Sequence, residues 1–122
     1  MNARTASTAA VFECQAQRYD NWFERHSSAY RSEVAAIRSL LPQSFRRGLD
    51  IGCGTGRFAV PFGVVDGVEP ARAMREIALQ QGVKAVAGVA EALPFPDESF
   101  DLALMVTTLC FVRDAQQSCC EA

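Results

Sequence analysis

The sequence is poor in residues that hold metals or cross-link a chain. It has a single histidine, His26, and five scattered cysteines, with no Cys-x-x-Cys pair. The usual zinc-ligand spacings are absent, so a zinc site is excluded as a sequence inference. An odd cysteine count in a chain of 122 residues also argues against a disulfide framework. Cys119 and Cys120 read as two small helical residues rather than a redox pair. No apolar run reaches about 18 residues, so no segment is expected to span a bilayer. No apolar stretch of signal-peptide length precedes Glu13. Lysine occurs once, at Lys84, against eleven arginines, and no basic run exceeds Arg46-Arg47. With a formal net charge of −2, nothing calls for nucleic acid or an anionic membrane as partner. A cytoplasmic protein is the expectation.

What is present suits one globular domain, because 49% of the residues are hydrophobic. Residues 1–10 are small and polar and read as a flexible tail, leaving 11–122 as the domain. Phe12, Ala16, Tyr19 and Phe23 recur at helical spacing, with Trp22 beside them. Ser27-Ser28 is expected to interrupt this helix. Tyr30, Val34, Ile37 and Leu41 mark a second helix, stopped by Pro42. Strands are then expected at 46–51, 64–69, 83–87 and 100–107, the last buried on both faces. Between the first two, Pro61 and Gly63 leave room for only a turn or two of helix. A helix over 71–81, with Pro70 in its first turn and Gly82 at its C-cap, separates the second and third strands. A last helix starts near Asp114. Strands alternating with helices predict a parallel α/β sheet in the order 3-2-1-4, a Rossmann-like three-layer sandwich with extra N-terminal helices.

The most informative segment is Gly48-Leu-Asp-Ile-Gly-Cys-Gly-Thr-Gly56. A strand that runs into closely spaced glycines lets the backbone approach a ligand without side-chain obstruction. The dinucleotide fingerprint needs a glycine at position 57, which is Arg57 here, and the Gly-Lys-Ser/Thr of a P-loop is absent. Glu69, in Gly67-Val-Glu-Pro70, falls at the tip of the second strand. A carboxylate there can accept hydrogen bonds from both hydroxyls of a ribose; otherwise it caps the helix that follows. His26, at a helix break with no triad pattern, reads as packed or solvated rather than catalytic. Asp97, Glu98 and Asp101 fit turn chemistry better than metal binding. For Tyr19 and Trp22, stacking on a ligand and plain packing stay open.

Taken together, Asp50-Ile-Gly-Cys-Gly-Thr-Gly56, Gly67-Val-Glu-Pro70, Ala90-Glu-Ala-Leu-Pro-Phe-Pro-Asp-Glu-Ser-Phe-Asp101 and Leu102-Ala-Leu-Met-Val-Thr-Thr108 resemble a class I S-adenosylmethionine-dependent methyltransferase. The nearest group is the small-molecule methyltransferases of type 11, whose N-terminal helix Tyr19-Asp-Asn-Trp-Phe23 also resembles. The likeness covers roughly residues 15–118. It implies S-adenosyl-L-methionine as cofactor and a small-molecule acceptor that takes the sulfonium methyl by in-line displacement. It implies that Gly52, Cys53, Gly54 and Gly56 let the backbone approach the methionine part, and that Asp50 orients the loop and helps fix the amino group. Glu69, followed by Pro70, would hold the ribose. Ala90 would offer its N–H to adenine, with Glu91 nearby. Thr107 would border the methyl group, and Tyr19 and Trp22 would form part of a lid. No catalytic base is identified, and no metal is implied. Two positions depart from the pattern: Val89 stands where relatives carry an acid, and Ala71 where they carry serine. The family has seven strands in the order 3-2-1-4-5-7-6, of which this chain supplies four. It is expected to lack the C-terminal half and to self-associate through the exposed edge of the fourth strand. Two rival readings remain: a non-catalytic nucleotide-binding fragment and a nicotinamide-dependent oxidoreductase.

Overall fold

The computed structural model describes residues 3–122. Two helices come first, α1 (Ala3–Arg25) and α2 (Ser27–Leu40). Strands β1 (Gly48–Ile51), β2 (Asp66–Val68), β3 (Lys84–Val86) and β4 (Leu102–Leu104) follow, with α3 (Arg72–Gln80) between β2 and β3 and α4 (Ala115–Glu121) after β4. All pairings are parallel and the order is β3-β2-β1-β4, the Rossmann-like order read from the sequence. Asp50 stands opposite Gly67 on one side and Leu104 on the other. The β1–β2 crossover holds only a 3-10 turn, Val60–Phe62, ended by Gly63 at φ +70°. No helix among the described residues is long and apolar enough to cross a membrane.

Strand alternation sorts the core. Leu49 and Ile51 pack with Val68 and Ala90 beneath Leu93, Phe95 and Phe100. On the other face Val64, Val83 and Leu104 meet Val34 and Ile37 of α2. The Phe12–Ala16–Tyr19 stripe of α1 packs on Met74 and Ile77 of α3 and on Ala71 just before it.

Several boundaries differ from the sequence reading. Residues 3–10 continue α1 as helix, whereas Met1 and Asn2 lie outside the described residues. The α1–α2 break falls at His26, one residue before the Ser27-Ser28 pair. β1 begins at Gly48 instead of Arg46, because the Asp101 carboxylate accepts the N–H groups of Arg46 (2.7 Å) and Arg47 (2.8 Å). α3 starts at Arg72, so Pro70 precedes it. β4 is three residues long, and Ala103 is exposed rather than buried on both faces. The reason is position: among the described residues β4 lies at one edge of the sheet and has β1 alone as its partner.

α4 is short, so its cap matters. The Asp114 carboxylate accepts from the Gln117 N–H at 2.9 Å. Asp114→Ala is expected to cost about 0.5–2 kcal/mol of stability, the usual value of an N-cap. Urea denaturation checks this; an unchanged midpoint would assign the anchoring of α4 to Glu121, which accepts from Leu93 N–H at 3.0 Å.

Candidate functional site

β1 delivers the chain into the glycine loop at the C-terminal end of the sheet, where open α/β folds bind ligands. Gly52, Gly54 and Gly56 all take positive φ, at +72°, +56° and +89°. Side-chain space decides the first of them as well. A Cβ on Gly52 would sit 2.5 Å from Thr108 Oγ1 and 2.6 Å from its Cγ2. The N–H groups of Gly52 and Cys53 both donate to the Val68 carbonyl, which ties the loop to the end of β2. Cys53 is buried and points at Gly67, where a Cβ would lie 2.6 Å from its sulfur. Burial pushes its thiol up, so it is a packing residue and not a nucleophile.

Above the loop lies a cavity of about 320 Å³. Gly52, Gly54, Glu69, Pro70, Ala90, Glu91, Thr107 and Tyr19 line it, all of them expected from the sequence. Phe12 of α1 and Phe111, whose rings meet edge to face at 5.3 Å, also line it and were missed. Nothing in the sequence links two aromatics 99 residues apart. Trp22 is elsewhere: it stacks on His26 at 4.4 Å and is 41% exposed. Thr107 has φ +55°, a strained conformation for a β-branched residue, and it sits in the cavity wall.

Two buried carboxylates give the site its charge. Glu69 is 7% exposed and works for the backbone: Oε1 accepts from Gly54 N–H (3.1 Å) and Oε2 from Ala71 N–H (2.8 Å). The helix-capping and loop-holding roles therefore coincide in one residue. Burial raises its pKa, and the two N–H groups oppose that. Asp50 lies behind the loop at 2% exposure, and no hydrogen-bond donor among the described residues reaches its carboxylate. Burial, then the neighbouring Glu69 charge, pushes Asp50 up to about 7. Tyr19 is pushed up to about 12, first by burial and then by Glu69 and Asp50. Such a pair of desolvated carboxylates favours a cationic guest.

The segment expected to meet adenine forms a tight turn, in which Ala92 N–H donates to the Val89 carbonyl at 3.2 Å. Ala90 is buried in it, and its N–H meets no acceptor among the described residues. Glu91 lines the cavity but spends Oε2 on the Arg113 N–H at 3.0 Å. It therefore braces the chain after β4. Asp20, Thr55 and Arg57 form a buried network under α1 that sequence reading did not find.

Comparison with known proteins agrees with this geometry. The family described as Methyltransferase domain matches residues 49–122. An uncharacterized protein of Methanocaldococcus jannaschii is 41% identical over 112 residues, covering 92% of this chain and 54% of that protein. A demethylmenaquinone methyltransferase of Roseiflexus castenholzii is 42% identical over 91 residues, covering 66% of this chain and 38% of its own length. The crystal structure of a SAM-dependent methyltransferase from Thermotoga maritima, described as a possible histamine N-methyltransferase, superimposes with a TM-score of 0.87 at 51% identity. That match covers 93% of this chain and 54% of the solved one. The chain thus spans about half, or less, of the length of these relatives. With its sheet order, glycine loop and strand-two acid in place, the chain belongs to the class I S-adenosylmethionine-dependent methyltransferase family.

Proposed function

We propose that this chain, with the stretch of α1 that holds Ala9 included beside residues 11–122, forms the cofactor-binding part of a methyltransferase that passes the sulfonium methyl of S-adenosyl-L-methionine to a small-molecule acceptor by in-line displacement. The observation that carries this reading is Asp50, a fully buried carboxylate with no donor among the described residues, behind a loop shaped by glycines. A buried charge without a partner costs several kcal/mol or so unless a ligand supplies one. An ammonium group beside the loop would supply it.

The residues present fit such a cofactor. Gly52 and Gly54 bring bare backbone to the cavity floor, while Gly56 faces Val83 and Cys53 faces Gly67, so these two shape the loop from behind. Glu69, ahead of Pro70, has lone pairs left beyond its two backbone contacts and can accept from ribose hydroxyls. Ala90 has a free N–H for a ring nitrogen, while Val89 offers adenine no carboxylate. Tyr19 closes the side facing Gly54, and Thr107 with Thr108 borders the region where the acceptor would approach. When bound, the cofactor supplies a methyl group already activated by positive sulfur. What the chain contributes is orientation and exclusion of water, which can be worth about 7–11 kcal/mol when donor and acceptor are fully aligned. In the resemblance much of the acceptor site belongs to the remaining strands. The edge of β4 is the surface proposed to join them or a second copy.

Calorimetric titration with S-adenosylhomocysteine tests the reading. The wild-type chain is expected to bind it, and NAD is expected not to compete. Glu69→Gln keeps the shape but loses the charge. It is expected to weaken binding by about 1.5–3 kcal/mol, the range for hydrogen bonds to a charged group. Unchanged affinity in the folded variant would remove Glu69 from the ribose site.

A further inference from the structure

Position 57 would need glycine in a dinucleotide loop, yet here it carries an arginine with a specific task. The Arg57 guanidinium grips Asp20 of α1 with two prongs, Nε to Oδ1 at 2.9 Å and Nη2 to Oδ2 at 3.0 Å. Nη2 also donates to the Asp20 carbonyl at 3.3 Å, and Nη1 donates to Glu24 at 2.9 Å. Thr55, from the same loop, donates its hydroxyl to Asp20 Oδ1 at 2.6 Å. Tyr30 of α2 donates to the Arg57 carbonyl, and the guanidinium lies over the rings of Phe23 and Tyr30. This is not a solvated surface pair, because the Arg57 and Asp20 side chains are only 19% and 8% exposed. Burial raises the Asp20 pKa, but the hydrogen bonds from Arg57 and Thr55 outweigh it and hold the carboxyl below its ordinary value.

The geometry joins this grip to the cavity. Tyr19 precedes Asp20 and faces Gly54, where a Cβ would lie 3.5 Å from its ring. Ala9, Phe12 and Tyr19 make one wall of the cavity, and Phe12 touches Phe111 across it. Helix α1 therefore forms a wall whose only ion-pair link to the glycine loop, among the described residues, is through Arg57. The α1–α2 break at His26 follows six residues after Asp20, a natural pivot. We propose that Arg57 and Asp20 are positioning residues that latch α1 shut against the cofactor loop, so that the strength of the latch sets how fast a bound cofactor leaves. This rests on the cofactor reading of the cavity given above.

The test uses the whole 122-residue chain and three variants, Arg57→Gln, Arg57→Lys and Asp20→Asn. Release of radiolabelled S-adenosylhomocysteine is followed by rapid dilution into excess unlabelled ligand. Backbone hydrogen exchange is measured without ligand. Losing the fork is expected to speed release by roughly ten- to a hundredfold. Arg57→Lys keeps the charge but not the planar fork, and is expected to fall between wild type and Arg57→Gln. Exchange at residues 12–20 is expected to rise while β1 stays protected. Glu76→Gln, which breaks an exposed Arg72 pair on α3, is the control and is expected to change neither. Lower thermal midpoints with unchanged release and unchanged α1 exchange would make the grip merely structural and overturn the proposal. If the wild type binds no S-adenosylhomocysteine, the cofactor reading fails, and ligand-free exchange still decides whether the latch exists. If Arg57→Gln does not fold, the lysine and asparagine variants carry the same comparison.

Discussion

Gly52→Ala is expected to lower stability by roughly 2–5 kcal/mol and to abolish cofactor binding. Two costs add. A non-glycine residue at φ +72° loses about 1–2 kcal/mol to Cβ–carbonyl crowding. The new methyl also meets Thr108 at 2.5 Å, a contact that real Cβ atoms do not make. Thr108 has little freedom to retreat, because it is buried and its hydroxyl donates to the Ile51 carbonyl at 3.1 Å. Gly54→Ala separates the two costs: its φ is also positive, but its nearest neighbour, on Tyr19, is 3.5 Å away. It is therefore expected to lose the backbone part alone. Adding Thr108→Ala to Gly52→Ala relieves the clash and is expected to recover the difference. Urea denaturation of the four chains measures this. Equal losses for Gly52→Ala and Gly54→Ala would mean that the loop absorbs the methyl.

Asp50→Asn is expected to do the opposite to the free protein, stabilising it while destroying the site. Asp50 is held up to about 7, above its ordinary 3.8, so the folded chain binds this proton more tightly than the unfolded chain. Its contribution is complete below about pH 4 and is lost as pH rises through about 7, up to about 4 kcal/mol in all. The raised Glu69 acts in the same direction. The wild-type unfolding free energy is therefore expected to fall between about pH 4 and pH 7, and the Asp50→Asn curve to be flatter. The two should nearly coincide below about pH 4, with the variant the more stable at pH 8. S-adenosylhomocysteine is expected to restore wild-type stability at pH 8 and to leave the variant almost unmoved, since it stabilises only a state that binds it. Parallel pH profiles would show that Asp50 is ionised and satisfied in the free protein. Stability gained at the expense of binding is the usual mark of a strained functional residue.

The sheet was legible because its signals are local. Glycines clustered after Leu49 and Ile51, an acid at the end of the next apolar run, and breakers at Pro61, Gly63 and Gly82 each act within a few residues. The order β3-β2-β1-β4 then followed from right-handed crossovers. Strand ends were less legible, since they depend on which groups capture the backbone. The Asp101 carboxylate takes the N–H groups of Arg46 and Arg47, and nothing near those arginines announces it.

Within the site, the sequence alone determined residues that line the cavity, namely Gly52, Gly54, Glu69 and Ala90, because the glycine loop and the strand tips place them at fixed spacing. Only the tertiary structure decided what the longer side chains do. Arg57 lies 37 residues from Asp20, and Glu91 lies 22 from Arg113. Whether a charge binds a guest or braces the chain depends on which distant partner folding brings within about 3 Å of it. That choice is made by how α1 packs on α3 and by how the chain after β4 returns to the turn at Ala90; the spacing of Phe12, Ala16 and Tyr19 marks a packing face, but no periodicity in the sequence names its partner.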